Sequence, residues 1–277
     1  YNGALSGISL DGQGFFYSNP LVAYPGSGID GHRATWRVPW IGCACCPPNI
    51  LRLLTSLGNY IYTQTTGELF VHLYVGGRAE VELAGQKVVV EQKTQYPWKE
   101  KVVLRVRPEK PAEFTVSLRI PGWCKGAALK VNGKVVRLGP ITTQGYARIK
   151  RLWKRGDRIE LTLPMPAERV YPNPKIRHTA GVALQRGPMI YCLEQVDNGA
   201  DLSEIVLPRS ARLRVTTDAK LFGGVPVITA KASRAVADDL YATAPPRLAP
   251  AAIKAVPYFL WANRTEGEMR VWLREHP

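Results

Sequence analysis

Three cysteines fall within four positions, Cys43, Cys45 and Cys46, inside the run CACCPPN at residues 43–49. A deprotonated thiol is both a nucleophile and a metal ligand, so this run is where chemistry is sought first. The residues that follow bear on its ionisation. Pro47 and Pro48 suit the first turn of a helix, where a missing N–H costs nothing. Ile50, Leu53, Leu54, Leu57 and Ile61 then recur at helical spacing. The pattern predicts a helix starting within about two residues of Pro47, with Cys45 and Cys46 in the connecting turn. There the positive end of the helix dipole favours thiolate over thiol. Adjacent cysteines cannot form a zinc-finger chelate, but they can supply one or two ligands to a site completed elsewhere. Against that stand two plainer readings: small residues buried under the helix, or a vicinal disulfide. His32 is either a further ligand or a solvated loop residue. The other two of the five cysteines, Cys124 and Cys192, read as buried structural thiols, and an odd count is no complete disulfide framework.

The elements that must hold this site change character near residue 67. Before it come a strand-like GFFYSNPLV (14–22), a Gly/Pro-rich loop at 24–42, and the helix. After it the hydrophobic period becomes two. ELFVHLYV, AEVEL, KVVVEQ, KVVLRVR, EFTVSLRI, ALKVNGKVV, YARIK and RIELTL all read as strands, and Asn132-Gly133 is a two-residue hairpin signal. Short strands separated by turn chemistry predict an antiparallel sandwich. LPMPAERVYPNP (163–174) looks like a boundary. Further strands are predicted at 181–195, 226–232, 256–263 and 268–274, with residues 233–255 as an Ala/Pro-rich surface loop.

Hydrophobic residues make up 45% of the 277, charged residues 21%, as in a globular protein. No apolar run approaches the roughly 18 residues of a membrane span, so no membrane association is expected. Net charge is +15, which favours acidic partners. The basic residues are scattered over strand-like segments and no nucleic-acid motif accompanies them, so nucleic acid is not expected as a partner. The chain opens on Tyr1 without a signal-peptide layout; its true N-terminus is expected to be missing, which leaves cytoplasmic and secreted locations both open.

CACCPPNILRLLTSLGNYIY resembles the signature of glycoside hydrolase family 127, the β-L-arabinofuranosidases. SGISLDGQGFFYSNPL, LRIPGWC (118–124) and VPYFLWANRTEGEMRVWLR resemble later segments of that family, in the same order. The resemblance implies a retaining glycosidase with a zinc-bound cysteine nucleophile in place of the usual carboxylate. By position, Cys45 would be nucleophile and zinc ligand, Cys46 a second zinc ligand, and Tyr17 a residue lining the sugar pocket. Tyr17 reads equally well as an aromatic packed in a barrel wall. The family's acid/base glutamate and its remaining zinc ligands, a glutamate and a cysteine, lie upstream of the CCPPN run. Here no glutamate precedes Glu68, and the only carboxylates in residues 1–67 are Asp11 and Asp30.

The expectation is therefore a mainly β chain: the C-terminal portion of a family member, inactive alone. Residues 1–66 would be the last piece of an (α/α)6 barrel, 67–166 a jelly-roll-like β-sandwich and 167–277 a second one. The implied cofactor is zinc and the implied partner an arabinofuranoside-type oligosaccharide or glycoconjugate, with a homodimer as the assembly to look for. The alternative is a non-catalytic carbohydrate-binding or structural β-sandwich protein, with Trp98, Trp123, Trp153, Trp261 and Trp272 as candidate platforms.

Overall fold

The computed structural model describes residues 1–29, 31–43, 45–176, 181–237 and 239–276. Asp30 lies outside the described residues. The chain forms two compact units: one of Leu54–Met165, the other of Tyr1–Leu53 together with Pro166–Pro277.

In the first of these, alternation of apolar and polar residues builds two sheets that share one core. The six-stranded sheet runs in the order Lys134–Val136, Ala128–Val131, Asp157–Thr162, Lys101–Pro108, Gln86–Thr94, Gly77–Leu83. Val102, Leu104 and Val106 of KVVLRVR all point inward and are fully buried, while their neighbours face out. The five-stranded sheet is ordered Thr142–Thr143, Tyr146–Trp153, Ala112–Arg119, Glu68–Val71, Tyr62–Gln64. Its Glu68–Val71 strand pairs in parallel with Ala112–Arg119, so the sandwich is not purely antiparallel. Trp153 is the largest side chain buried completely; its Nε1–H donates to Phe114 O at 2.9 Å and its ring stacks on Phe114. At the predicted hairpin Val131 faces Lys134, and Asn132 and Gly133 take φ of 50° and 80°. Two consecutive left-handed residues are what a tight two-residue turn demands.

The second unit carries one ten-stranded sheet. Its spine runs Val22–Ala23, Met269–Arg270, Met189–Glu194, Arg247–Pro257, Val225–Val236, Ile205–Pro208, Arg274–His276, with Arg214–Asp218 also on Val225–Val236. The expected second sandwich is thus corrected to a single curled sheet. The cause is two long strands, of 12 and 11 residues, paired from Ile228↔Ala255 to Val236↔Arg247. Residues 247–255, expected as loop, are most of the second strand. Its alanines and Pro250 carry little strand propensity, and pairing along a long neighbour overrides that.

The expected piece of an (α/α)6 barrel is also corrected. Among the described residues there are two α-helices, α1 (Cys46–Ser56, 11 residues) and α2 (Gln195–Asn198, 4 residues), and neither belongs to a helical pair. Upstream of α1 the described residues form strands of two residues and a turn of 3-10 helix at Leu5–Gly7. The prolines and glycines of that stretch break helix and long strand alike. No helix is long and apolar enough to cross a membrane, among the described residues.

Candidate active site

The helix predicted after the cysteines begins at Cys46 and ends at Ser56, giving way to a 3-10 turn at Leu57–Tyr60. Cys45 immediately precedes it, and its carbonyl accepts the first helical bond, from Asn49 N–H at 3.2 Å. Asn49 Nδ2 donates to the same carbonyl at 2.9 Å, and Arg52 Nη1 donates to Asn49 Oδ1 at 2.6 Å. Pro47 and Pro48 occupy positions whose N–H groups would have no intrahelical partner. Three residues of CCPPN therefore have a local reason: two prolines start the helix, and the asparagine grips the Cys45 carbonyl. Ile50 fastens the helix to the preceding chain, its Cδ1 filling the space a side chain at Gly7 would need.

The three thiols lie in a row. Cys45 Sγ is 3.5 Å from Cys43 Sγ and 3.6 Å from Cys46 Sγ, and all three are free thiols. Cys43 and Cys45 are exposed and Cys46 is half-buried, so none is buried beneath the helix. Cys45 is the one that ionises most readily. The thiol of Cys43, and then that of Cys46, donates to it and holds it below the usual thiol range. Cys43 is pushed up by the same contact with Cys45, and Cys46 by partial burial and then by Cys45. The thiolate preference expected at the helix start for both Cys45 and Cys46 is corrected: it falls on Cys45 alone, with its neighbours' thiols as the leading cause, and Cys46 is shifted the other way.

Arg37, 3% exposed, ties this segment to the chain that follows the 3-10 turn at Tyr258–Leu260. Its Nη1 donates to Trp261 O at 2.6 Å and Ala262 O at 3.0 Å, and its Nη2 to Ser6 O at 2.8 Å. The guanidinium lies 4.6 Å from the centre of the Phe16 ring, which in turn stacks on Trp261 at 4.8 Å. Burial pushes Arg37 down to about 10. Periodicity gives no hint of this residue, since a lone arginine in a Gly/Pro-rich loop reads as solvated.

Tyr17 is half-buried and stacks on His32, ring centres 4.3 Å apart. His32 lines a cleft of about 660 Å³ with Ser27, Arg33, Thr35, Gln195 and Glu266. Glu266 takes the Thr35 hydroxyl and an ion pair from Arg33, which hold its carboxyl below the usual range. Sequence reasoning missed Glu266, because its partners lie more than two hundred residues away. Of the tryptophans considered as platforms, Trp153 and Trp261 are buried and the other three half-buried, whereas Trp40, just ahead of the cysteines, is 75% exposed.

Thiolates suit zinc by type, but their number falls short of a site. Among the described residues no group of three or more His, Cys, Asp or Glu is placed to hold a metal ion. The zinc-bound arrangement expected from the resemblance is thus not formed by these residues alone.

Thiols at a helix start and a polar cleft lined by His32 and Glu266, on a mainly β scaffold, are compatible with a carbohydrate-processing enzyme, and comparison with known proteins gives the family. Residues 1–59 match the β-L-arabinofuranosidase GH127 catalytic domain, 68–165 the GH127 middle domain, and 167–274 the glycoside hydrolase family 127 C-terminal domain. The chain is 40% identical over 298 aligned residues to a non-reducing end β-L-arabinofuranosidase from Bifidobacterium longum subsp. longum, covering 99% of this chain and 44% of that protein. It superposes with a TM-score of 0.93 on a GH127 β-L-arabinofuranosidase from Geobacillus stearothermophilus T6, at 48% identity, over 98% of this chain and 44% of that one. A further GH127 β-arabinofuranosidase gives a TM-score of 0.87 at 35% identity, over 98% and 44%. The chain belongs to glycoside hydrolase family 127, a family of glycosidases. It spans somewhat less than half the length of these relatives. The expectation of a C-terminal portion only, with no more than the last piece of the catalytic barrel at residues 1–66 and no activity alone, is corrected: residues 1–59 match the family's catalytic domain.

Proposed function

We propose that this chain acts in the hydrolysis of β-L-arabinofuranosides, with Cys45 as the nucleophile. Cys45 and Cys46 are its contributions to a zinc site whose other ligands lie outside the described residues, and Tyr17 borders the sugar. The observation that carries the reading is the place of Cys45: exposed, flanked by two thiols, at the start of α1, within the stretch matched by the family's catalytic domain. In the reaction the Cys45 thiolate attacks the anomeric carbon as the bond to the leaving oxygen breaks, and a general acid protonates that oxygen. Water then displaces sulfur from the sugar and regenerates the thiolate, and two inversions retain the configuration. Zinc, when bound, would keep the thiols deprotonated at neutral pH. We further propose a division of the chain at about residues 66 and 166, and a homodimer, which light scattering would test.

The test is hydrolysis of 4-nitrophenyl β-L-arabinofuranoside by the protein and its cysteine variants, with and without added zinc. Cys45→Ser abolishes turnover and zinc does not restore it, because a hydroxyl is a far weaker nucleophile. Cys46→Ser loses zinc first and activity as a consequence, so excess zinc restores part of the rate. Rescue of Cys45→Ser with Cys46→Ser dead would reverse the two roles. Full activity in both would end the thiol mechanism.

A further inference from the structure

We infer that the outer face of the ten-stranded sheet carries a groove for a carboxylate-bearing polysaccharide, a reading that rests on the chain's being a glycosidase. The groove encloses about 710 Å³ over the strands Arg214–Asp218, Val225–Val236 and Arg247–Pro257. Register places Arg214 opposite Thr229 and Thr229 opposite Lys254, and Lys231 opposite Ala252. Residues directly opposite, or two apart on one strand, share a face, so these side chains line one side of the sheet. The floor is small and partly apolar, and the rim is cationic.

The cations differ in their engagement. Lys254 is held by Asp197 at 3.0 Å and Asp218 at 2.7 Å, and Asp197 is also paired with Arg264. The carboxylates of the groove are thereby neutralised. Arg212, Arg214 and Lys231 are exposed and have no ion-pair partner among the described residues. Edge protection does not account for all three. Lys231 pairs with Ala252 on one side and on the other lies between the stretches of its strand that pair with Arg214–Asp218 and Ile205–Pro208, inside the sheet and not at its end. Three unpaired charges over one groove, on a chain of net charge +15, attract an extended anion.

Two features select the anion. Among the described residues no aromatic lines the groove, so neither nucleobases nor the faces of neutral sugars find a stacking surface there. Sugar carboxylates carry charge at intervals along a chain, and arginine pairs with a carboxylate through two parallel hydrogen bonds. The groove then tethers the enzyme to an acidic glycan through contacts that make no use of the thiols.

The experiment is calorimetric titration of the intact chain with oligogalacturonate at low salt, against its methyl-esterified form and a DNA duplex of equal charge. The comparison variant is R212Q/R214Q/K231Q, checked for folding by circular dichroism. Exposed ion pairs are individually weak, and three together are worth about tenfold in affinity. The inference expects oligogalacturonate to bind, the ester not to bind, the variant to lose about tenfold, and 4-nitrophenyl arabinofuranoside hydrolysis to stay unchanged. Equal binding of the ester, unchanged affinity in the variant, or tighter binding of the duplex through the same three residues would each overturn it. Binding that depends on the three cations in a protein that hydrolyses no arabinofuranoside would leave the groove standing and remove the proposed activity instead.

Discussion

Replacing Arg37 by methionine keeps most of the buried volume and removes every hydrogen bond the guanidinium makes. Two of its three acceptors, Ser6 O and Ala262 O, lose their side-chain donor, whereas Trp261 O keeps Asn263 Nδ2 at 3.2 Å. A buried acceptor left unpaired costs about 1–3 kcal/mol. The cation above Phe16 contributes about 1 kcal/mol more. On the other side, burial lowers Arg37 from the usual guanidinium range to about 10. That corresponds to roughly 3 kcal/mol of charge desolvation, which methionine does not incur. The balance is a net loss of about 2 kcal/mol. Urea denaturation followed by tryptophan fluorescence measures it directly. Native-state hydrogen exchange localises it: Phe15, Phe16 and Val38, whose amides are bonded within this segment, should exchange about 30-fold faster. Arg37→Lys should fall between, because one ammonium cannot reach acceptors on both sides. A methionine variant within about 0.5 kcal/mol of the parent, or uniform exchange across the chain, would refute the reasoning.

The order of thiol reactivity is a second outcome. After metal chelation, iodoacetamide at mildly acidic to neutral pH should label Cys45 first. A lowered pKa leaves more thiolate at any pH below it, and Cys43 and Cys46, both raised, catch up only as pH climbs. Peptide mapping reads the order, and prior labelling of Cys46 would contradict it. In the sandwich, Trp153→Ala should cost about 3–5 kcal/mol, because it empties a fully buried site and leaves Phe114 O without its donor. A change below about 1 kcal/mol in chemical denaturation would mean the core collapses into the gap.

How much of this was legible beforehand differs between the two units, for a physical reason. In the sandwich, side chains alternate in and out along short strands, so KVVLRVR and the Asn132-Gly133 turn announced themselves through neighbours in sequence. In the ten-stranded sheet the deciding partners are remote. Val22 pairs with Arg270, and the run 247–257 becomes a strand only because 225–236 lies beside it. VPYFLWAN, expected as one strand, instead ends its strand at Pro257 and turns through a 3-10 segment at Tyr258–Leu260. Its large apolar residues signalled burial, which is observed, and not the backbone path. At the site, the cysteines and the helix start were visible because they are contiguous. The thiol row that sets Cys45 apart, the Glu266 cleft and the Arg37 anchor were not, since each depends on geometry or on contacts across the chain.

The pairing of Val22–Ala23 with Met269–Arg270 joins two stretches far apart along the chain. On a ribosome the partner strand emerges roughly a quarter of a minute or more after its mate, at about 5–20 residues per second. Leu54–Met165 draws all its strands from one continuous stretch and can fold in that interval. The thiol-bearing segment must wait, with reactive cysteines already made and the Trp261 and Ala262 carbonyls that seat Arg37 not yet there. Closing so long a loop also costs entropy that only the finished sheet returns. The thiols are therefore most open to stray oxidation during synthesis, and yield of active protein should depend on reducing conditions then more than after folding.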